Sequence, residues 1–256
     1  MFTRAIVRPP SENFADGLTT AALGRPDYKL ACAQHKSYCQ TLERCGLELI
    51  RLDPDERHPD ATFVEDTAVL IAQGAVLARP GATSRQGEVA TVAATLKKFY
   101  PRSSSISEPG TVDGGDVCEA GNHFFIGISR RTNQAGARQL AELLKPFGYT
   151  ISFVDIRGVP GILHLKSGIA WVGDRRLVVI RELCEQPEFR DFDIITTPSG
   201  EEYAANLVLS NEFVLVADGF PRTEQMLQAR GYRTIAVAMS EFQKMDGGLS
   251  CLSLRF

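Results

Sequence analysis

The sequence predicts an α/β protein, a five-bladed propeller of ββαβ repeats that the N- and C-terminal strands close. Three observations predict this class. A polar motif followed by an apolar, strand-like run recurs five times along the chain, at a spacing of about 46 residues. Each of the first four runs contains a dipeptide typical of a hairpin turn. The two chain ends each hold only part of a repeat, so that together they complete one.

The polar motifs mark the beginning of each repeat. In chain order they are Phe63-Val64-Glu65-Asp66, Asp113-Gly114-Gly115-Asp116, Leu163-His164-Leu165-Lys166-Ser167-Gly168, Tyr203-Ala204-Ala205-Asn206 and Asp246-Gly247-Gly248-Leu249-Ser250-Cys251. The turn dipeptides in the runs after the first four are Gln73-Gly74, Gly121-Asn122, Gly173-Asp174 and Ser210-Asn211. Parallel strands cannot be joined by such short turns, which argues against the competing architecture, a doubly wound parallel sheet.

A helix and a further strand follow most of the predicted hairpins. Apolar residues at the spacing i, i+3, i+4, i+7 predict helices at 89–96 and 137–144, and Thr132 or Asn133 is suited to cap the second one. A strand at 149–154 leads into the next motif.

The chain ends supply the remaining repeat. The N-terminal part predicts a strand at 4–8, a helix from about residue 27 to residue 45 and a strand at 47–52. The fifth motif leads into a lone strand at 252–256, and its pairing with the first strand would leave no open sheet edge. No linker interrupts the pattern, so we predict a single catalytic domain over residues 1–256.

Composition excludes several classes of function. The chain has 256 residues, of which 44% are hydrophobic and 23% charged, as in an ordinary globular protein. Its net charge of −3 gives no basic surplus for nucleic acid, and no apolar run approaches the ~18–20 residues of a membrane span. The six cysteines are scattered along the chain and form no CxxC pair, and the N-terminal residues do not have the pattern of a signal peptide. These two observations predict reduced thiols and a cytoplasmic location.

The motifs bring together residue types that can perform catalysis. In a closed ring they face the central axis, so we expect the thiol of Cys251, the imidazole of His164 and several carboxylates to converge on one cavity. No two histidines have metal-ligand spacing, and we predict no metal site. A cysteine with a histidine indicates nucleophilic catalysis. Carboxylates disfavour a thiolate, but a cationic guanidinium would favour it and would itself be held by the carboxylates. The pattern therefore predicts attack on a guanidinium carbon.

At this point the sequence resembles the dimethylarginine dimethylaminohydrolase family. The similarity runs from about Arg4 to Cys251 and includes the FVED, LHLKS, AAN and MDGGLSC motifs that end at Asp66, Ser167, Asn206 and Cys251. It also includes Asp16-Gly17-Leu18-Thr19, Thr111-Val112-Asp113-Gly114-Gly115-Asp116 and Ser129-Arg130-Arg131-Thr132-Asn133. The resemblance implies the five-bladed α/β propeller of the guanidine-modifying (pentein) superfamily, in agreement with the number of repeats.

The resemblance also implies the roles of individual residues. Cys251 matches the nucleophile and His164 the general acid/base, with Asp113 at a position where some bacterial members carry Glu. The residues that match substrate contacts are Glu65 and Asp66 at the guanidinium end, Asp60, the backbone of Leu18 on a mobile lid and the backbone of Met245, and Arg85 with Arg131 at the α-carboxylate.

The implied activity is hydrolysis of Nω-methylated arginine to citrulline and a methylamine through a covalent cysteine thiouronium, with no cofactor. The implied partner is a small guanidino amino acid, and exposed propeller faces are compatible with a homodimer. Two alternatives stay open: an arginine deiminase-like or citrulline-hydrolysing enzyme of the same superfamily, and a non-catalytic propeller that binds a partner. Chain length favours a dimethylarginine dimethylaminohydrolase over an arginine deiminase, because arginine deiminases generally carry an added helical domain. The second needs neither the cysteine nor the histidine.

Overall fold

A computed structural model describes residues 1–256. The strands are β1 (Arg4–Val7), β2 (Glu48–Arg51), β3 (Ala68–Ile71), β4 (Gly74–Leu77), β5 (Ser103–Ser105), β6 (Val117–Ala120), β7 (His123–Ile128), β8 (Thr150–Asp155), β9 (Ile169–Trp171), β10 (Arg176–Val179), β11 (Asp193–Thr196), β12 (Val208–Ser210), β13 (Phe213–Ala217), β14 (Arg233–Val237) and β15 (Leu254–Arg255). The α-helices are α1 (Tyr28–Arg44), α2 (Val89–Leu96), α3 (Gln134–Leu144), α4 (Pro221–Gln228) and α5 (Ser240–Gln243).

The strands form five three-stranded sheets, in the orders β15-β1-β2, β3-β4-β5, β6-β7-β8, β9-β10-β11 and β12-β13-β14. In each sheet the middle strand pairs antiparallel with one neighbour and parallel with the other. In the third of these sheets, Ile126 on β7 is opposite Val117 of β6 and Phe153 of β8. A hairpin followed by a parallel strand is the predicted ββαβ unit, and the five sheets confirm the predicted α/β propeller class.

The chain ends complete one sheet, as predicted. Ala5 is opposite Arg255 and Ile6 is opposite Leu254 in an antiparallel pair of β1 with β15. The other edge of β1 pairs in parallel with β2, after the crossover through α1. The first and last strands therefore cover each other's edges.

Side-chain caps fix where the predicted helices begin. The carboxylate of Asp27 accepts the backbone N–H of Leu30 before α1, and the side chain of Asn133 accepts that of Gly136 before α3. The repeat between β10 and β11 has no α-helix. Two short 3₁₀ turns, Arg181–Leu183 and Pro187–Phe189, take its place.

Two of the four predicted turns are shifted by one residue. Gly121 and Asn122 separate β6 from β7, and Gly173 and Asp174 lie between β9 and β10, as predicted. The first hairpin instead turns at residues 72–73, because Gly74 already belongs to β4. The last one turns at 211–212, with Asn211 at a φ of +55°.

The chain divides into two compact units. The first comprises Met1–Val64 with Thr197–Phe256, and the second comprises Glu65–Thr196. In the first, α1 packs on a core that includes Phe14 and Phe242, and in the second, α3 packs on a core that includes Phe124. A single domain over residues 1–256 stays a prediction. None of the helices is long and apolar enough to span a membrane.

Candidate active site

In the second unit, His164 lies against Asp113. His164 has extended backbone just before a 3₁₀ turn, and its side chain is buried. Its Nε2 is 3.0 Å from Oδ2 of Asp113, while Oδ1 of Asp113 accepts the backbone N–H of Gly81 at 2.7 Å. The backbone N–H of Asp113 donates to Oγ1 of Thr132 at 3.1 Å. Aspartate, one methylene shorter than the glutamate of some family members, therefore reaches the imidazole.

A second buried carboxylate, Asp66, lies beside this pair. Its Oδ1 accepts the backbone N–H of Gly115 at 2.8 Å, and its Oδ2 accepts Nη1 of Arg85 at 2.6 Å. Glu88 holds the same guanidinium bidentately, with Nε and Nη2 of Arg85 at 3.0 and 2.8 Å. Ligand-type atoms of Asp66, Asp113 and His164 all lie within 4.8 Å of one another. The three side chains form a compact group, which we call the acid–imidazole cluster.

The two glycines of the GGD motif permit this packing. A Cβ on Gly115 would lie 2.9 Å from Oδ1 of Asp66 and 2.9 Å from the ring of His164. A Cβ on Gly114 would lie 2.0 Å from the carbonyl oxygen of Glu65. Any side chain here would displace the cluster, so the motif's glycines are required for close approach.

The cluster favours a positive charge on His164. Burial alone would lower the pKa of His164, but the carboxylates of Asp66, Asp116 and Asp113 outweigh it and raise that pKa to about 9. Burial alone would raise the pKa of Asp66, but the charges of His164 and Arg85 lower it to about 2. At neutral pH the imidazole is therefore protonated. A metal ion on these three ligands would have to displace that proton.

Asp116 bonds the backbone beside His164, whereas Asp113 bonds the imidazole itself. Its Oδ1 accepts the backbone N–H of Leu165, the residue after His164, at 2.9 Å, and its Oδ2 accepts Oγ–H of Ser129 at 2.6 Å. The Ser129 oxygen in turn accepts the backbone N–H of Arg131 at 2.9 Å. Burial raises the pKa of Asp116 to about 6. Asp116 thus fixes the backbone beside the imidazole and the segment that carries Arg131.

Three further charged residues of the second unit are Glu65, Lys166 and Arg131. Nζ of Lys166 is 2.6 Å from Oε1 of Glu65, and both side chains are largely buried. Nη1 of Arg131 lies 4.0 Å from Oδ2 of Asp113. That nitrogen is buried and makes no hydrogen bond. Arg131 therefore has one buried N–H donor without a hydrogen-bond partner.

In the first unit, Cys251 lies on a 3₁₀ turn just before β15. Its side chain is buried, and its Sγ accepts the backbone N–H of Gly248 at 3.4 Å. Asn206 supports this turn, because its Oδ1 accepts the backbone N–H of Ser250 at 2.9 Å and its Nδ2 donates to Oγ of Ser250 at 3.1 Å. A Cβ on Gly248 would lie 2.5 Å from the Asn206 side chain, so this glycine too permits close packing.

The segment around Leu18 is tied to the rest of the first unit by hydrogen bonds. The backbone N–H of Leu18 lies 3.0 and 3.2 Å from the two carboxylate oxygens of Asp60, while the side chain of Leu18 is exposed. Oδ2 of Asp246 accepts the N–H of Thr20 at 2.5 Å and its hydroxyl at 2.9 Å. The neighbouring Met245 is buried, and its Cε would lie 3.2 Å from a Cβ on residue 17. The mobility of this segment stays a prediction.

The predicted site residues fall into two groups. Glu65, Asp66, Arg85, Asp113, Arg131 and His164 belong to the second unit, and Leu18, Asp60, Met245 and Cys251 belong to the first. Convergence of the two groups on one cavity stays a prediction. Sequence reasoning missed Glu88 and the ion pair of Lys166. The ion pair of Arg85 with Glu88 could have been predicted from their spacing, because residues three apart on a helical turn lie on the same face.

Comparisons with known proteins agree with this fold and this chemistry. The five-sheet α/β fold, a buried cysteine and a protonated imidazole among carboxylates define a class, the guanidine-modifying propeller enzymes. The model of the family described as N,N dimethylarginine dimethylhydrolase, eukaryotic, matches residues 27–197. The chain belongs to the dimethylarginine dimethylaminohydrolase family.

The chain is similar to full-length relatives. It is 44% identical over 257 residues to N(G),N(G)-dimethylarginine dimethylaminohydrolase of Pseudomonas aeruginosa, with all of both chains covered. It is 35% identical to the Streptomyces coelicolor enzyme of the same name, covering 98% of this chain and 96% of that one. A crystal structure of the Pseudomonas aeruginosa protein, a cysteine-to-serine variant with citrulline, matches all of both chains with a TM-score of 0.96. A histidine-to-glycine variant of a dimethylarginine dimethylaminohydrolase, an adduct with S-methyl-L-thiocitrulline, matches equally well with a TM-score of 0.96.

Proposed function

We propose that this protein hydrolyses Nω-methylated arginine, as dimethylarginine or monomethylarginine, to citrulline and the corresponding methylamine. The observation that carries the proposal is the acid–imidazole cluster, in which Asp66 and Asp113 surround a protonated His164. Buried carboxylates suit a planar cation with several N–H donors. The family relationship supports the same reaction.

In the proposed reaction, Cys251 and His164 carry the covalent chemistry. The thiolate of Cys251 attacks the guanidinium carbon, and His164 gives its proton to the substituted nitrogen, so that the methylamine leaves. The product of this half-reaction is an S-alkylthiouronium on Cys251. The neutral His164 then takes a proton from water, the hydroxide adds to the same carbon, and the thiolate leaves to give citrulline.

We assign the other residues to substrate binding. Glu65 and Asp66 hold the guanidinium nitrogens, and Asp113 maintains the charge of the general acid. The unbonded Nη1 of Arg131 supports a role at the α-carboxylate. Asp60 and the backbones of Leu18 and Met245 are assigned to the amino-acid end.

The role assigned to Arg85 at the α-carboxylate also remains part of the proposal. Its guanidinium already bonds Asp66 and Glu88. We also propose a cytoplasmic location, supported by six free cysteines, and a homodimeric assembly.

Parallel assays test the reaction. Purified protein is incubated with asymmetric dimethylarginine, monomethylarginine, arginine and citrulline, and dimethylamine, methylamine, ammonia, ornithine and citrulline are measured. Equal amounts of citrulline and dimethylamine from dimethylarginine are expected. Faster release of ammonia from arginine, or of ornithine from citrulline, would assign the protein to one of the alternative activities, and no turnover of any substrate would favour a binding module.

Two variants test the residue roles. Cys251→Ser should abolish turnover, because a serine hydroxyl is a far weaker nucleophile at neutral pH, whereas Cys184→Ser at a half-buried loop cysteine should not. His164→Asn should accumulate a substrate adduct on Cys251 that intact-protein mass spectrometry detects. Turnover by Cys251→Ser within a few-fold of the unchanged protein would contradict the mechanism.

A further inference from the structure

In the first unit, two aspartates hold the segment that contains Leu18. The carboxylate of Asp60 accepts the backbone N–H of Leu18 at 3.0 and 3.2 Å. Oδ2 of Asp246 accepts both the backbone N–H and the hydroxyl of Thr20, at 2.5 and 2.9 Å. Leu18 therefore lies between two attachments, and the proposed reaction assigns a role only to the one at Asp60.

The exposed stretch of this segment depends on hydrogen bonds for its position. The side chains of Leu18, Thr19 and Thr20 are exposed, so burial contributes little to holding the stretch. Besides the bonds to Asp246, the hydroxyl of Thr19 donates to the carbonyl oxygen of Lys244 at 2.8 Å. Removal of the Asp246 carboxylate should therefore loosen the stretch.

Asp246 is itself held by buried neighbours. Its backbone is in the left-handed region, with a φ of +56°, a conformation that is rare for residues other than glycine and that clusters at functional positions. Met245 and Gly247 on either side are buried, and the carbonyl oxygen of Gly247 accepts the hydroxyl of Tyr203 at 2.8 Å. A Cβ on Gly247 would overlap the ring of Phe63. The backbone of Asp246 is therefore a fixed anchor for the exposed stretch.

This anchor concerns the amino-acid end of the proposed substrate, because Asp60 and the backbone of Leu18 are assigned there. A Cβ on Gly17 would overlap the Asp60 carboxylate and would lie 3.2 Å from Cε of Met245, so the segment packs directly on both. An α-ammonium has three N–H donors, and acceptors that are ordered in advance bind it more tightly than acceptors that must be ordered on binding. Anchoring by Asp246 therefore favours binding of the α-ammonium.

We propose that Asp246 is a positioning residue for recognition of the substrate's α-ammonium group, because its carboxylate keeps the backbone of Leu18 beside Asp60. This role rests on the proposed function, since it concerns the same guanidino amino acid. Asp246 acts through Leu18 and Asp60 and takes no part in the covalent steps. Its replacement should therefore weaken binding of the amino-acid end and leave the attack on the guanidinium carbon unchanged.

Kinetics with two substrates test this role. One is asymmetric dimethylarginine, and the other is its deamino analogue, Nω,Nω-dimethyl-5-guanidinopentanoate, which lacks only the α-ammonium. Asp246→Gly removes the carboxylate without backbone strain, because glycine readily adopts a positive φ. It should raise KM for dimethylarginine about tenfold and change kcat by less than about twofold, as expected when binding remote from the reacting carbon is lost. For the analogue, kcat/KM should change by less than about twofold.

Three further variants complete the comparison. Asp246→Asn keeps a side-chain oxygen that can accept from Thr20, and its KM should stay within about twofold of that of the unchanged protein. Thr20→Val, at an exposed position, removes one donor to Asp246 and should raise KM for dimethylarginine about threefold. Asp174→Gly is the matched control. Asp174 also has a positive φ, +48°, but it lies in the turn between β9 and β10, so KM should not change.

Amide hydrogen exchange tests the anchor without catalysis. Peptides that cover residues 17–21 should exchange at least about tenfold faster in Asp246→Gly than in the unchanged protein or in Asp174→Gly. A peptide from β13, a core strand of the same unit, should exchange equally in all variants, which confirms that they fold.

Three results would overturn the role of Asp246. They are unchanged exchange at residues 17–21 in Asp246→Gly, an unchanged KM in Asp246→Gly or in Thr20→Val, and equal losses of kcat/KM with dimethylarginine and its deamino analogue. The two kinetic results require an unchanged protein that hydrolyses dimethylarginine. No turnover by the unchanged protein would instead contradict the proposed function itself.

Discussion

Replacing Asp113 with asparagine tests how the protein keeps His164, the proposed general acid, protonated. The two carboxylate oxygens of Asp113 accept from two donors, Nε2 of His164 at 3.0 Å and the backbone N–H of Gly81 at 2.7 Å. An amide has only one oxygen, so Asp113→Asn can accept from only one of them. The variant also removes a negative charge beside the imidazole while it preserves the size of the side chain.

The expected magnitude follows from this lost interaction. A hydrogen bond to a charged group contributes about 1.5–3 kcal/mol, and one pKa unit corresponds to about 1.4 kcal/mol. The pKa of His164, about 9 in the unchanged protein, should therefore fall by about one to two units. Because the proposed reaction uses the protonated imidazole as the acid that releases the amine, the alkaline limb of kcat/KM should move to lower pH by the same amount.

The titration and the stability are both measurable. NMR of the histidine Cε1–H signals gives the pKa of His164 directly, and Asp113→Glu is the control because it keeps both oxygens and the charge. The fold raises the pKa of His164 from 6.5 to about 9, so the stability it contributes is complete below pH 6.5 and is lost as the pH rises through about 9. In Asp113→Asn this loss should occur at lower pH. An unchanged His164 titration would refute the reasoning.

Two further variants test the buried supports of the cluster. Glu88→Gln leaves the buried guanidinium of Arg85 with one carboxylate fewer, and should lower the free energy of unfolding in urea by about 3–5 kcal/mol. The exposed Glu142→Gln should change it by less than about 0.5 kcal/mol, and equal effects would contradict the role of Glu88. Asp116→Asn should lower kcat about tenfold with little change in KM, because it displaces the backbone beside His164. A loss of stability with kcat and its pH profile unchanged would show that Asp116 is structural only.

The positions of the hairpins could be predicted from sequence to within one residue. A residue at positive φ identifies a turn, but the sequence does not show whether it is the first or the second residue of that turn. Asn211 is the first turn residue in the structure, whereas the sequence predicts it as the second. Gly74 was wrongly predicted as a turn residue for another reason. A Cβ on Gly74 would lie 3.1 Å from the carbonyl oxygen of Arg102, so this glycine serves strand packing and not the turn.

The helices were predictable where an apolar stripe and a cap coincide. α3 has both, with Leu140 and Leu144 in its core and Asn133 at its N-cap. The segment between β10 and β11 has no such stripe, and Pro187 falls within it, which suits a short 3₁₀ turn better than a helix.

The residue types of the site were predictable, but their hydrogen-bond partners were not. The motif Asp113-Gly114-Gly115-Asp116 contains two aspartates, and only the family resemblance, not the spacing, assigned Asp113 to the catalytic group. Only the fold shows that Asp113 reaches the imidazole of His164 and that Asp116 bonds the backbone of Leu165. The reason is physical: such partners come from segments about 50 residues apart, and their choice depends on side-chain reach in the folded state.

The charges around His164 in the second unit suit the proposed role of this histidine as acid and then as base. At neutral pH the carboxylates of Asp66, Glu88 and Asp113 face three cations, Arg85, Arg131 and protonated His164. When His164 gives its proton to the leaving amine in the proposed reaction, these carboxylates exceed the remaining cations, Arg85 and Arg131, by one. The neutral imidazole then lies among carboxylates that raise its pKa, so it is well placed to take a proton from water in the second half-reaction. In the proposed reaction, the carboxylates beside the substrate cation therefore also favour the return of a proton to His164 for the next turnover.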